Sequence, residues 1–325
     1  MRIEAPYHEG EILVQKRVGE FEEGRRNGAA ISDSIVKGAL RFIPQQSMVV
    51  LGSVDDDRNV WTSIVFGQPG FMEARDERTV IFDQARMAHN PHDPLWGNVE
   101  LDPRLGMLVI ELATRRRLRI NGHVTRLGRD QLRLDVDEAY PNCPKYIQRR
   151  RIVDGWKLAD MASTEFRRGS VLSSAHESFI NSADTFFVAS MNPQAGIDAS
   201  HRGGRPGFVR VLNDTTLRIP DFRGNSMFNT LGNFAVHPHA GLAFFDFKHG
   251  RTLQLIGRPE IQWELDDPDN ETGGTRRYWD LHVEAWIQTD LARSPRWEFL
   301  DYSPHNPKSE TSDVRSDTSF ALGAK

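Results

Sequence analysis

The sequence predicts a mainly β fold built from two tandem barrels of short antiparallel strands, packed on each other as an intrachain pseudo-dimer. Three observations carry this. The chain repeats itself: residues 63–71 read SIVFGQPGF and residues 200–208 read SHRGGRPGF. Ser63 and Ser200, Ser53 and Ser190, and Thr79 and Thr216 are each 137 residues apart. Gly97 and Gly232, Asn98 and Asn233, Gly106 and Gly241, and Gly122 and Gly257 are each 135 apart, so the second copy is shorter between the two blocks. An ordered series of matches at a nearly fixed offset marks a repeated unit. Second, each copy is a succession of β-branched or apolar runs bounded by Gly, Pro and Asp, the pattern of closed or split barrels. Third, one short helical segment interrupts the strands of the second copy.

Taken in order, residues 1–40 form a helical segment around GEILVQKRVGEFEEGRR. Residues 41–153 form the first barrel, with strands at SMVVLGSV, NVWTSIVF, RTVIFD, LGMLVIELA and RRRLRINGHVTR. Residues 154–183 read as a helical connector. Residues 184–303 form the second barrel, with strands at TFFVASM, GFVRVLN, TTLRIP, AGLAFFDF, RTLQLIGRPEIQWE and YWDLHVEAWIQT. Its helix is NSMFNTLGNFAVH, where Met227, Leu231 and Phe234 share a face. DASHRGGRPGF, with its glycines and arginines, reads as a flexible charged loop. Residues 304–325 are polar, unpatterned and expected to be disordered.

Composition narrows the functional classes. The chain has 325 residues, 38 % hydrophobic and 26 % charged, with a formal net charge of −4. That balance argues against a nucleic-acid surface. A single cysteine excludes an internal disulfide and fits a reducing, cytoplasmic setting. No run approaches the roughly 18 apolar residues of a membrane span. HNPH and HPH each accompany a turn proline without a partnered Cys or Glu, so no metal site is expected. Cys143 reads as an inert thiol; Lys145 beside it leaves a reactive one open.

The order of RGGRPGFVRV, TTLRIP, DFRGN, the helix with LGN, HP and RTLQLIGRPE resembles the FMN-binding split barrels of the pyridoxamine 5'-phosphate oxidase family. YPNCPKYIQRR and YHEGEILVQKRVG are similar to a bacterial tandem-barrel branch. No counterpart of the vitamin-forming enzyme's C-terminal substrate motif is present.

The resemblance implies FMN as cofactor, held between barrels, with the second copy binding it. Arg210 would take the phosphate cation position beside Phe208 and Val209. Arg218, Ile219 and Pro220 would form the adjoining strand, and Arg223, Asn225 and Ser226 the turn before the helix. Ser200, His201 and Arg202 would lie along the ring, the latter two with a catalytic part in stabilising charge on it, and Thr252 would face the flavin. Lys145 and Tyr146 would reach the flavin mouth. In the first copy Arg210 becomes Glu73, and His201 and Arg202 become Ile64 and Val65, so that site is expected to be degenerate. Arg86 still matches Arg223. Two functions remain open. One is an FMN-dependent oxidoreductase acting on a reduced nicotinamide (NADH or NADPH) or a small organic substrate. The other is a carrier or sensor of flavin, haem or another flat ligand. A homodimer is compatible with either.

Overall fold

The strand-forming runs pair in the same order twice. A computed structural model describes residues 6–88, 90–153, 156–158, 163–293 and 295–307. In the first barrel the strands are β1 (Met48–Val54), β2 (Val60–Phe66), β3 (Met72–Ala74), β4 (Thr79–Asp83), β5 (Arg104–Glu111), β6 (Arg116–Leu127) and β7 (Gln131–Pro141). They hydrogen-bond in the order β2-β1-β5-β6-β7-β4-β3. After β8 (Arg149–Ile152) and β9 (Ser163–Gly169), the second barrel contains β10 (Thr185–Asn192), β11 (Gly196–Gly203), β12 (Arg210–Asn213), β13 (Thr216–Pro220), β14 (Ala240–Asp246), β15 (Arg251–Gln262) and β16 (Tyr278–Leu291). Its order is β11-β10-β14-β15-β16-β13-β12, the same path strand for strand. β17 (Trp297–Asp301) pairs with β8.

β1 and β10 are buried along their whole length, which explains their near-continuous apolar runs. Alternate residues serve two interiors. Val49 and Leu51 point into the first barrel's core, while Met48 and Val50 join a second cluster with Phe187, Ala199, Ala243 and Phe245 of the other barrel. The seam between barrels is therefore a hydrophobic core in its own right. Two equivalent glycines allow it to close. A Cβ on Gly106 would lie 2.6 Å from Ile197 O, and one on Gly241 2.4 Å from Val60 O. These are the same contact made from each side.

Helix α1 (Glu9–Arg17) and helix α2 (Phe21–Asn27) occupy the expected N-terminal helical stretch. Helix α3 (Lys37–Leu40) precedes β1, and α4 (Leu95–Leu101) lies between β4 and β5 of the first barrel. The connector is not wholly helical: among its described residues α5 (Ser174–Ser182) is an α-helix, while residues 163–169 form β9 against β16. The 14-residue β16 outruns its partner β13 and leaves an open edge, which β9 fills. The second barrel's helix α6 (Asn229–Val236) buries Leu231 and Phe234, but Met227 falls in the turn before it. DASHRGGRPGF is not one loop. Residues 198–203 belong to β11, where the seam buries most of them and the ladder with β10 supplies backbone hydrogen-bond partners. Residues 304–307, expected to belong to the C-terminal tail, are among the described residues. Ser303 and Asn306 are buried, and Asn306 Nδ2 donates to Gln148 Oε1 at 3.0 Å. The tail beyond residue 307 and His89 of HNPH lie outside the described residues.

Candidate functional site

A cavity of about 100 Å³ opens in the seam, and both barrels line it. β6 of the first barrel presents Arg117 and Arg119, and the segment after β7 adds Cys143, Lys145 and Tyr146. The second barrel contributes Ser200, His201 and Arg202 from β11, the turn from Asp221 to Phe228, and the start of α6.

The charges are unbalanced. Arg119 is buried and fully engaged: Nη1 donates to Asp198 Oδ1 at 2.9 Å and to Tyr140 Oη at 2.7 Å, Nε donates to Ala199 O at 3.2 Å, and Nη2 bonds Ser200 Oγ. Arg117 and Arg202 are different. Arg117 Nε donates to Cys143 O at 2.7 Å, and Nη1 donates to His201 O at 3.4 Å. Arg202 Nη1 donates to the same carbonyl at 3.3 Å, and its Nε is buried without a partner. Among the described residues neither guanidinium has a carboxylate partner within ion-pair distance. Burial and the nearby Arg202 lower Arg117 to about 9. Burial likewise lowers Arg202, partly offset by Asp221. Two cations from opposite barrels thus meet at one backbone oxygen, an arrangement that an anion would relieve.

His201 is 2 % exposed, and among the described residues both its ring nitrogens lack partners. Burial, then Arg117 and Arg202, push its pKa well below the ordinary value, so the imidazole is neutral. It offers one N–H and one lone pair to whatever enters. Across the mouth, burial raises Tyr146 to about 12. Its phenol donates to Arg223 O at 2.9 Å, which ties the first barrel to the turn of the second. That turn carries Ser226 at φ 58° and Phe228 at φ 59°, left-handed conformations unfavourable for side-chain-bearing residues. The N-terminal helices hold it: Asn27 Nδ2 donates to Asn225 O at 2.7 Å, Gln15 Nε2 to Met227 O at 3.1 Å, and Ser226 Oγ to Glu20 Oε2 at 2.6 Å.

Of the expected residues, the cavity gathers Ser200, His201, Arg202, Asn225 and Ser226, together with Lys145 and Tyr146. The others stand elsewhere. Arg210 is exposed on the edge strand β12 and pairs with Glu271 at 3.3 Å. Arg218 makes a two-pronged pair with Asp280, at 2.8 and 2.7 Å. Val209 and Ile219 belong to the second barrel's core, Phe208 packs against it, and Pro220 is buried on β13. Arg223 is exposed and outside the cavity lining, and its carbonyl accepts from Tyr146 Oη. Thr252 pairs across the ladder with Thr289, away from the cavity lining. Arg117 and Arg119 were not singled out from the sequence. The signal was available: Arg117 and Thr252 are 135 residues apart, so they are equivalents. Across a seam, the equivalent strand of the other barrel is the one that faces a given site.

Among the described residues no three His, Cys, Asp or Glu side chains are grouped to hold a metal ion. Among the described residues no helix is long and apolar enough to cross a membrane.

Residues 35–149 match the family model described as pyridoxamine 5'-phosphate oxidase, a span that contains β1–β7. Among solved structures, HupZ of Group A Streptococcus is 16 % identical, covering 35 % of this chain and 90 % of that one, with a TM-score of 0.28. A FAD-binding protein of Mesorhizobium loti is 9 % identical, covering 39 % and 99 %, with a TM-score of 0.26. No curated protein is significantly similar to the chain.

Proposed function

We propose that this chain, a member of the pyridoxamine 5'-phosphate oxidase-like family, binds FMN in the seam cavity and works as a flavin-dependent oxidoreductase on a small-molecule substrate. The observation that carries this reading is the meeting of Arg117 and Arg202 at His201 O, two cations with no carboxylate within ion-pair distance among the described residues, in a cavity walled by both barrels.

The residues present fit a phosphorylated flat group. Arg117, Arg202 and Lys145 supply the positive charge that a phosphate or a reduced ring requires. The turn at Gly224–Ser226 lies at the cavity wall, where backbone N–H groups suit an anion. Tyr146, Phe222 and Phe228 give apolar surface on the same wall. When bound, the flavin supplies the two-electron redox chemistry. The chain's own part is electrostatic and positional. Arg202 and Arg117 stabilise negative charge. Neutral His201 holds an edge atom by a hydrogen bond through either nitrogen, and its low pKa keeps it from acting as an imidazolium acid near neutrality. Arg119, engaged with Asp198, holds Ser200 in place.

The test is anaerobic titration of the FMN-loaded chain with NADH, then NADPH, followed in the visible spectrum. Bleaching by one donor and recovery on admitting air is the expected result. A flavin that binds but is reduced by neither donor points to a carrier or sensor, and a chain that takes up no FMN overturns the reading.

A further inference from the structure

A second cavity, of about 250 Å³, lies behind the first, with the opposite chemistry. Asn229 lines both. Arg119 lines the first and Asp198 the second, so their 2.9 Å ion pair spans the wall between them. Three carboxylates line this second space: Glu11 from α1, Glu138 from β7 and Asp198 from β11. Arg119 balances Asp198. Glu11 has only His8 as an ionic partner, at 3.6 Å, and Glu138 has no ion pair among the described residues.

An independent feature of the same cavity points to a missing donor. Asn121 is 6 % exposed, and its Nδ2 donates to Glu138 Oε1 at 2.6 Å and Asp198 Oδ1 at 2.9 Å. Those two carboxylates fix the amide's orientation, because flipping it would set oxygen against oxygen. Asn121 Oδ1 is therefore a true acceptor, and it is buried with no hydrogen-bond partner among the described residues. An unmade hydrogen bond at a buried acceptor is unfavourable, and so is the crowding of like charges beside it. Burial and then Asp198 raise Glu11 to about 8, and the same two causes raise Glu138. Asn121, Asn229 and Asn233 already spend side-chain N–H groups on the three carboxylates, no Lys or Arg lines the cavity, and Asn121 Oδ1 is left without a donor among the described residues. Among the described residues no three acidic, His or Cys side chains are grouped tightly enough for a metal ion, which favours a cation that brings its own N–H groups.

We propose that this cavity binds the N–H-bearing head of a small organic cation, a primary ammonium or guanidinium, with Glu138 as its ion-pair partner and Glu11 and Asn121 Oδ1 as further acceptors.

The experiment uses the full chain and n-butylammonium chloride at pH 8, followed by calorimetry and by Tm. Tetramethylammonium chloride at equal ionic strength is the control, since it carries charge but no N–H. Saturable binding of butylammonium alone is expected, weakened at least tenfold in Glu138→Gln and unchanged in Asp137→Asn, an exposed neighbour of the same charge. Glu11→Gln, read in the same way, serves should Glu138→Gln lose its native circular dichroism. The titratable groups facing the cation are Tyr7, His8, Glu11, Glu138 and Asp198, with Arg119 and Tyr140 bonded behind them. Lowering the pH from 8 to 5 protonates Glu11 and Glu138, so affinity falls. Equal responses to both salts, unweakened binding in the folded Gln variants, or saturable calcium or magnesium binding in place of butylammonium would overturn the proposal.

Discussion

The two seam sites have the same plan and opposite contents. Arg119 and Gln254 are equivalents, as are Ser200 and Ser63. In the open site Arg119 donates to Ala199 O and Ser200 Oγ; in its counterpart Gln254 Nε2 donates to Thr62 O at 2.9 Å and Ser63 Oγ at 3.4 Å. The scaffold contacts survive, and the charge does not. Where the open site has His201 and Arg202, the other has buried Ile64 and Val65. Asp93 then closes it, accepting from Ser63 Oγ at 2.5 Å and from Leu95 N at 3.0 Å. The lesson is that each site is built from both barrels. One site loses its cations only when the strand of one barrel and the facing strand of the other both change.

The largest expected effect breaks the open site from either side. Arg202→Glu and Arg117→Glu should each weaken FMN binding about a hundredfold, since each exchanges a charge-assisted contact, worth roughly 1.5–3 kcal/mol, for repulsion. Arg210→Glu and Thr252→Glu should change it by less than about threefold, a bound set by surface charges being worth roughly 0–1 kcal/mol. Flavin fluorescence titration of the four variants checks this. Equal losses at Arg117 and Thr252 would erase the difference between the sites.

The next effect bears on what the sites share. Gly106→Ala and Gly241→Ala place a methyl group against a backbone carbonyl of the other barrel. Overpacking of this kind costs about 1–3 kcal/mol. Both variants should lower Tm by similar amounts, measured by calorimetry, because they disturb equivalent contacts. A loss at one glycine only would show that the seam is not symmetric in energy.

The barrels, their order and the residues of β11 and the following turn were legible because repetition and local chemistry record them. Ser200, His201, Arg202, Asn225 and Ser226 stand within 27 residues of one another and reach one cavity. Arg117 and Arg119 were hidden in RRRLRING, where only alternation across a buried seam separates them from the exposed Arg116. Arg210 misled for the converse reason. It follows the Gly-Pro turn, but β12 is an edge strand, and its outward residues face solvent. β9 was missed because its reason for being a strand is the free edge of β16, more than a hundred residues away.

A smaller effect sharpens the closed site. Desolvation raises the Asp93 carboxyl, against hydrogen bonds from Ser63, Leu95 and Gln254. A raised folded-state pKa favours the fold below the unfolded value, and that advantage is lost as pH rises through the folded one. Asp93→Asn keeps an acceptor and removes the titration. Its Tm relative to the parent chain should therefore climb by a few degrees from pH 4 upward, seen in thermal melts across pH. A difference independent of pH would mean that Asp93 is not held in a desolvated pocket.

The central claim is that one seam site of the two takes the cofactor and that both barrels build it. Stoichiometric titration of the whole chain with FMN, followed by flavin fluorescence, tests this most directly. The account predicts a single break at one FMN per chain, abolished by Arg117→Glu on the first barrel as fully as by Arg202→Glu on the second. A break at two per chain, or one that survives Arg117→Glu, would contradict it.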